Sequence, residues 1–306
     1  MYLGFDTSNY TTSAAAFGGE TACNVSRLLD VEQGQIGLRQ SDALFLHTKR
    51  LPKIVEELFG RIPRDKVQAV AASTRPRAVE GSYMPCFLAG EGLARSVASV
   101  LGVPFYAFSH QQGHIAASLW SAGRMDLMDK PHLAWHLSGG TTELLLVEPQ
   151  DRNICAERIG GTSDISAGQI IDRTGKLLQL AFPSGKQLDQ LSSDASGNEL
   201  FAVKLQELTF SLSGLENKIA AFYEKGASRE EVAAFAARSV ADIIYRTTRE
   251  ALKRYPGMEV VFSGGVASNS ILRARCAPLS PVFSQPEYST DNAMGIAVLC
   301  SLQEGR

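Results

Sequence analysis

The sequence predicts an α/β fold of two lobes, each a mixed β-sheet flanked by helices. Three observations carry this. The chain opens with a strand, a small polar turn and a second strand (Tyr2–Phe5, Asp6–Asn9, Thr11–Phe17). The same plan returns in the second half, in His132–Leu137, Ser138–Glu143 and Leu144–Val147. Between and after these hairpins, apolar strand-like runs alternate with helical periodicity, the pattern of sheets covered by helices. With 306 residues the chain is long enough to bury a core in each of two lobes.

Composition narrows the class. The chain is 44% hydrophobic and 20% charged, ordinary for a globular enzyme. A formal net charge of -2 gives no global basic field, so a nucleic-acid substrate would need a local patch or a basic partner. Cys23, Cys86, Cys155, Cys276 and Cys300 are odd in number and scattered, which points to reduced thiols in a cytosolic protein rather than a disulfide framework or a zinc ribbon. Met1 to Asp6 runs directly into a strand without the basic and apolar regions of a signal peptide, and no apolar run reaches transmembrane length. A cytoplasmic protein without membrane contact is expected.

In the first hairpin, Asp6 ends a strand ahead of a hydroxyl-rich turn. A carboxylate so placed can serve a magnesium–phosphate group, and a plain Asx-type turn reads equally well. A third strand spans Ala22–Leu28, followed by a polar loop up to Gly37. A helix opens near Ser41 or Asp42, either of which can cap it, with Leu44, Leu51, Ile54, Val55 and Leu58 on its apolar stripe. Pro52 either kinks this helix or begins a second segment, and His47 is expected on the polar side. Val67–Ala72 is a buried strand. Arg75-Pro76-Arg77 follows in the loop at its C-terminal end, where open α/β sheets bind ligands; the arginines can meet a phosphate or carboxylate, or simply be solvated. A helix with many small residues covers Cys86–Leu101, and Val103–Phe108 is the next strand.

That strand leads into Ser109-His110-Gln111-Gln112-Gly113-His114. On a helix, His110 and His114 share one face one turn apart, so they can share one metal ion, or be two satisfied polar residues at a helix start. After a polar linker comes the second hairpin, whose Ser138-Gly139-Gly140-Thr141 turn lets backbone N–H groups approach a phosphate. An ordinary glycine hairpin has the same signature. Gly160 to Gly168 is a loop opening a helix over Gln169–Leu180, and a further helix begins near Gln187. Helices run from about Arg229 to Arg254, with the buried stripe at Ala233, Ala236, Ala237, Val240, Ile243 and Ile244. Val260–Phe262 is a strand running into Ser263-Gly264-Gly265-Val266-Ala267-Ser268-Asn269 and a helix, a loop suited to an adenosine. Asp291 stands before the C-terminal helix, as an N-cap or as an oxygen ligand beside the two histidines.

Taken together, Asp6-Thr7-Ser8, Ser138-Gly139-Gly140-Thr141 and Gly264-Gly265-Val266 resemble the two phosphate loops and adenosine loop of the actin-like, sugar-kinase and chaperone ATPase superfamily. Within it the chain is identified as a member of the transferase family that makes threonylcarbamoyladenosine at position 37 of tRNA, once labelled glycoproteases. The resemblance runs nearly end to end. His110 to His114 resembles that family's metal motif, and Ser138 to Leu144 its second phosphate loop. Asp164 with Gly168 and Asp172 resembles its substrate loop and helix, Phe210 to Leu215 its phenylalanine–serine–glycine segment, and Gly264, Gly265 and Asn269 its adenosine loop. Ser289 to Asn292 resembles the segment that supplies its metal-binding aspartate.

The resemblance implies an actin-like fold with residues 1–130 in an N-terminal lobe, onto which a helix at 291–306 packs back, and residues 131–290 in a C-terminal lobe, with a nucleotide and metal cleft between. It implies iron or zinc on His110, His114 and Asp291, the catalytic residues. It implies an adenylate or ATP-type nucleotide, with magnesium, on Asp6, Ser138, Gly139, Gly140, Thr141, Asp164, Gly168, Gly185, Gly264, Gly265 and Asn269. tRNA is the implied acceptor, with helper proteins and a homodimer or heterodimer as implied partners. The metal would polarise the carbamoyl carbonyl while the adenine amino group attacks and AMP leaves.

The chain departs from the family at several places. Tyr10 and Thr11 stand for an acidic pair, Arg75-Pro76-Arg77 for glycine-proline-glycine, Thr141 for histidine, Ile165 for the second of two acids, and Gln169 for glutamate. These mark a divergent member, in which the metal triad is kept and the acceptor or the transfer itself can differ. The rival reading is a non-catalytic nucleotide-binding scaffold; a sugar kinase would not need the histidine pair, and no protease nucleophile is visible. Arg75 and Arg77 add charge where the family has glycine, and are expected to contact an anionic ligand. The double variant Arg75→Ala, Arg77→Ala should then weaken ligand binding by roughly tenfold or more; unchanged affinity and turnover would refute this.

Overall fold

The computed structural model describes residues 1–305 except Asn9, Glu20 and residues 31–37. The expected turn residue Asn9 and the polar loop before Leu38 therefore lie outside the described residues. In chain order the elements begin with β1 (Tyr2–Asp6), β2 (Thr11–Gly18), β3 (Thr21–Leu28), α1 (Gln40–Arg61), β4 (Ala69–Arg75), α2 (Phe87–Leu101), β5 (Phe105–Ser109) and α3 (His110–Ser121). There follow β6 (His132–Leu137), β7 (Thr142–Gln150), β8 (Asn153–Thr162), α4 (Ala167–Leu177), α5 (Gly185–Ser192), β9 (Leu205–Gln206), β10 (Thr209–Phe210) and α6 (Ser213–Glu224). The chain ends with α7 (Arg229–Arg254), β11 (Val260–Ser263), α8 (Ser270–Cys276), β12 (Val282–Phe283), α9 (Pro286–Ser289) and α10 (Met294–Gln303). Two compact units result. The first holds Met1–Pro131, Val147–Ala156 and Glu287–Arg306; the second holds His132–Leu146 and Glu157–Pro286.

The five-stranded sheet of the first unit runs β3-β2-β1-β4-β5. β1 is antiparallel to β2 and parallel to β4, and β4 is parallel to β5. Every residue of β1 is buried, because helices cover both faces: α2 on one, α10 on the other. α1 packs on β2 through Ala43, His47, Leu51, Ile54 and Leu58, a stripe at i+4 and i+3 steps. His47 is thus not on the polar side. It is fully buried, and its Nδ1 lies 2.8 Å from the Thr12 hydroxyl oxygen. α1 begins at Gln40 with Arg39 as an N-cap that makes no side-chain bond, so neither Ser41 nor Asp42 caps it. Pro52 neither starts a new segment nor breaks the helix: its ring lies on the exposed face, where water can take the carbonyl left without a donor.

The seven-stranded sheet of the second unit runs β12-β11-β6-β7-β8-β10-β9. Reading from β8 to β12 gives a three-stranded meander extended on its first strand by two parallel strands, the order of the first sheet repeated. This is the duplication expected from the two hairpins, with β10 and β9 added at one edge. Its core gathers Trp135, Leu137 and Phe262 from the sheet with Ala233, Val240 and Ile244 of α7, and the indole Nε1–H of Trp135 donates to Thr248 Oγ1 at 2.8 Å. β8, β9, β10 and α6 carry no strong periodic signal in the sequence. α4 begins at Ala167, two residues before the expected start, because Ser166 and Gln169 form a capping box, and it ends at Leu177 with Gln179 in the left-handed region (φ 58).

The contact that places the C-terminal segment is between α10, α3 and β1, all in the first unit. A Cβ on Gly295 would lie 1.8 Å from the Gly113 carbonyl oxygen, and one on Gly4 would lie 2.5 Å from Ala293 O and Ala297 N. The backbones therefore meet with no room for a methyl group. Gly295→Ala should force α10 off α3 and destabilise the first unit by about 1–3 kcal/mol; urea unfolding followed by circular dichroism measures it, and a variant as stable as wild type would contradict the close packing.

Candidate metal centre and nucleotide loops

The metal candidates grow directly out of the strand–helix junction of the first unit. β5 passes into α3 without a linker. Ser109 caps the helix: its Oγ accepts from Gln112 N at 3.2 Å and the Gln112 Oε1 accepts from Ser109 N at 2.8 Å. The Gln112 amide also donates to the Ile154 carbonyl at 2.8 Å. The first turn of α3 is thus held rigidly, and His110 and His114 project from successive turns with ring centroids 4.3 Å apart.

Asp291 reaches the same place from the segment before α10. Asn292 folds that segment: its Nδ2 donates to Tyr288 O and Thr290 O, and its Oδ1 accepts from Met294 N. α10 starts at Met294 with Ala293 as N-cap, so Asp291 is not a helix cap. Its Oδ1 lies 3.2 Å from His114 Nε2 and 3.6 Å from His110 Nε2. Two imidazole nitrogens and one carboxylate oxygen converge, with the His114 side chain 2% exposed. This donor set fits zinc or iron and leaves coordination positions for other groups.

On the opposite edge of the His110 ring, Nδ1 faces Asp6 Oδ1 at 3.2 Å. Asp6 is fully buried at the end of β1. Ser8 Oγ donates to its Oδ2 at 2.6 Å, and Ser73 Oγ donates to its Oδ1. The electrostatics follow. Burial opposes the charged form of every member, but the Asp6 and Asp291 carboxylates outweigh it at His110, whose pKa is pushed up to about 10. At His114 burial and the neighbouring His110 win, and its pKa falls. Asp6 and Asp291 are both held below the usual carboxylate range, against burial, by the histidines and their hydrogen bonds.

Apart from Asp6, the nucleotide candidates belong to the second unit. In Ser138-Gly139-Gly140-Thr141, Ser138 N donates to Thr141 O at 2.8 Å and Thr141 N donates to Ser138 Oγ at 3.1 Å. A Cβ at Gly139 or Gly140 would meet nothing within 4 Å, so the protein's own packing does not require glycine there; a ligand approaching the backbone would. The start of α4 clamps this loop. Ser166 Oγ donates to Gly139 O at 2.6 Å, Ala167 N donates to Thr142 Oγ1 at 2.7 Å, and a Cβ on Gly168 would sit 2.4 Å from Ser138 O. Gly264 has φ 89 and passes under Leu137, where a Cβ would come within 2.3 Å of the Leu137 carbonyl oxygen; Gly265 then opens a short 3₁₀ turn. Loop 138–141 and loop 264–269 follow the neighbouring parallel strands β6 and β11, at the strand ends where α/β sheets take ligands.

Other expected residues are more committed to the protein itself. Asp164 Oδ1 accepts from Leu212 N and Ile165 N, and its Oδ2 from Ser211 Oγ and Ser213 N. It thereby serves the start of α6, whose N-cap Leu212 makes no side-chain cap of its own; against partial desolvation, these bonds hold its pKa well below the carboxylate range. Asn269 caps α8 through Leu272 N at 3.0 Å and donates its Nδ2 to Asp189 Oδ1 at 2.8 Å. Asp189 also accepts from Ser270 N and Oγ. Asp189 escaped the motif reading; its one signal is its place four residues after Gly185 on the same helix. Gly185 itself opens α5 with open space around its Cα. Arg75 pairs with Ser109 at the β4–β5 edge, and Pro76 O accepts from Gln111 N, so this loop lies against the start of α3. The Arg75 Nε is buried without a hydrogen-bond partner, and Arg77 is exposed. Tyr10 and Thr11 belong to the hairpin: Tyr10 O accepts from Leu29 N, and Thr11 pairs with Leu28.

The chain is similar to known proteins in sequence and in fold. A family model described as tRNA N6-adenosine threonylcarbamoyltransferase matches residues 28–298. The protein of that name from Carboxydothermus hydrogenoformans is 31% identical over 262 residues, 82% of this chain and 75% of its own. The one from Kosmotoga olearia is 30% identical over 309 residues, 92% and 90% respectively. Among solved structures, HypF of T. kodakarensis superposes with TM-score 0.64 at 15% identity, covering 99% of this chain, which spans 48% of that one. A ROK family glucokinase from Streptomyces griseus gives 0.55 at 10% identity, with 99% of both chains covered. These structural likenesses show the fold, of the actin-like and sugar-kinase type. No described helix is long and apolar enough to cross a membrane.

The clamp of α4 on the glycine pair yields a direct test. Gly168→Ala should push the Ser138–Gly139 backbone aside and weaken ATP or adenylate binding by roughly tenfold or more, about the 1–3 kcal/mol that overpacking costs, while zinc binding stays as in wild type. Isothermal titration of each ligand measures both; unaltered nucleotide affinity would separate loop 138–141 from the nucleotide.

Proposed function

The chain belongs to the tRNA N6-adenosine threonylcarbamoyltransferase family, and from that premise we propose that it transfers a threonylcarbamoyl group from an adenylate to the N6 amino group of adenosine 37 in tRNA. The observation that carries the reading is the convergence of His110 Nε2, His114 Nε2 and Asp291 Oδ1. These three would hold one divalent metal, iron or zinc. When bound, such a metal supplies Lewis-acid polarisation of a carbonyl.

The remaining roles fall to the chain's own groups. The Gly139 and Gly140 backbone would donate N–H groups to the adenylate phosphate, the two glycines leaving the approach open. The turn at Gly264 and Gly265, with Asn269 and Gly185, would carry the adenosine, and Asp189 would hold the Asn269 amide still. In the transfer the adenine nitrogen forms the new bond to the carbamoyl carbon as the carbon–oxygen bond to AMP breaks, and the amino group gives up one proton to the departing phosphate or to water. A net charge of -2 supplies no general attraction for RNA, so tRNA would be presented with the help of a local basic patch or a partner protein. The second reading, a nucleotide-binding scaffold or a transferase with another acceptor, draws on Tyr10, Thr11 and Thr141, which stand where the family has acids and histidine, and on the buried, unpaired Arg75 Nε.

Metal analysis and a turnover assay with threonylcarbamoyl-adenylate and tRNA test the proposal. Wild type should carry about one metal per chain and modify tRNA. His110→Ala should lose the metal and at least about 10²-fold of the rate, as expected when a metal ligand is removed. Bound metal in wild type without any transfer to tRNA would overturn the reaction and leave the second reading.

A further inference from the structure

We infer that Asp6 is a positioning residue of the metal centre: its carboxylate accepts the Nδ1 proton of His110 and so presents Nε2, the other ring nitrogen, to the metal. This rests on the metal reading above and deepens it.

An imidazole ligates through a nitrogen that bears no proton, and which nitrogen that is depends on what the other one bonds to. His110 Nε2 points toward Asp291 and the His114 ring, while Nδ1 points the other way, 3.2 Å from Asp6 Oδ1. Asp6 is a strong acceptor with no proton to give, so the pair is satisfied only with the proton on Nδ1. The carboxylate is itself fixed. Ser8 donates to one oxygen and Ser73 to the other, and the strand that carries it is paired on both sides, to β2 and β4. Thr7, next in the chain, is anchored in turn: its Oγ1 donates to Cys86 O at 2.9 Å and accepts from Gly90 N at 3.1 Å.

The sequence placed Asp6 among the phosphate and magnesium contacts. With three donors on two oxygens and no solvent exposure, the side chain is spent on this hydrogen bond instead. It is also a poor candidate for a fourth metal ligand, because it sits at the ring edge away from Nε2. Asp6 and Asp291 come from β1 and from the segment before α10, two elements in backbone contact at Gly4. The imidazole is thus gripped at both edges by parts of one rigid frame.

The test is zinc affinity by chelator competition for wild type, Asp6→Asn and Ser73→Ala, with ¹⁵N–¹H spectra of the zinc-loaded proteins. Asp6→Asn should bind zinc roughly 10–100-fold more weakly, the usual effect of losing a carboxylate behind a ligating histidine. Its His110 Nδ1 proton should exchange faster with water, while the corresponding His114 signal stays as in wild type. Wild-type affinity together with an unchanged Nδ1 signal in Asp6→Asn would overturn the inference and leave the metal reading standing; a wild type that binds neither zinc nor iron would overturn both. If Asp6→Asn does not fold, Ser73→Ala decides: the carboxylate remains but loses one tether, and a loss of about threefold or more with faster Nδ1 exchange is expected. No change in either would overturn the inference.

Discussion

The contact of α10 with α3 and β1 is the constraint on which the first unit depends. Gly295 and Gly4 let α10 approach the backbones of α3 and β1 where no Cβ fits. α10 is apolar, buried along most of its length, and surrounded by sheet and helix. Its seat determines where the preceding segment runs, and Asn292 ties that segment so that Asp291 meets the two histidines. A shift of α10 would therefore be a shift of the third donor. The hydrophobic effect supplies the force that holds the helix down, and the glycines decide the distance at which it stops.

In the second unit the corresponding work is polar. The glycine-pair loop is held by the hydroxyl of Ser166, the hydroxyl of Thr142 and the bare backbone of Gly168, all at the start of α4. The 264–269 turn is held by Asn269, which caps α8 and leans on Asp189. These named donors and acceptors are satisfied by protein partners, while the faces of Gly139 and Gly140 are left open.

Much of this was legible in the sequence. The two hairpins predicted a duplicated plan of mixed sheets, and His110 with His114 announced their shared helical face by spacing alone. The strand–loop–helix reading of Val260 to Ala277 met β11, the Gly264 turn and α8 nearly residue for residue. The failures have local causes. Residue type alone puts His47 on the polar face; the i+4 stripe from Ala43 to Leu51 carries it inward, where Thr12 supplies a hydrogen bond. α6 was unreadable because its cap comes from Asp164, 48 residues upstream of Leu212, and no local signal records a cap supplied across the fold.

Asp6 shows the boundary best. By itself the sequence determined that a carboxylate ends the first strand, that hydroxyls follow it, and that a histidine pair begins a helix a hundred residues later. Periodicity and turn chemistry are local, so these statements needed no three-dimensional information. Only the tertiary structure decided that the carboxylate faces His110 Nδ1, that Asp291 faces the two Nε2 atoms, and that Arg75 lies beside the same helix start. Those pairings join elements remote in sequence, and they are set by sheet order and by how closely glycine lets one backbone approach another.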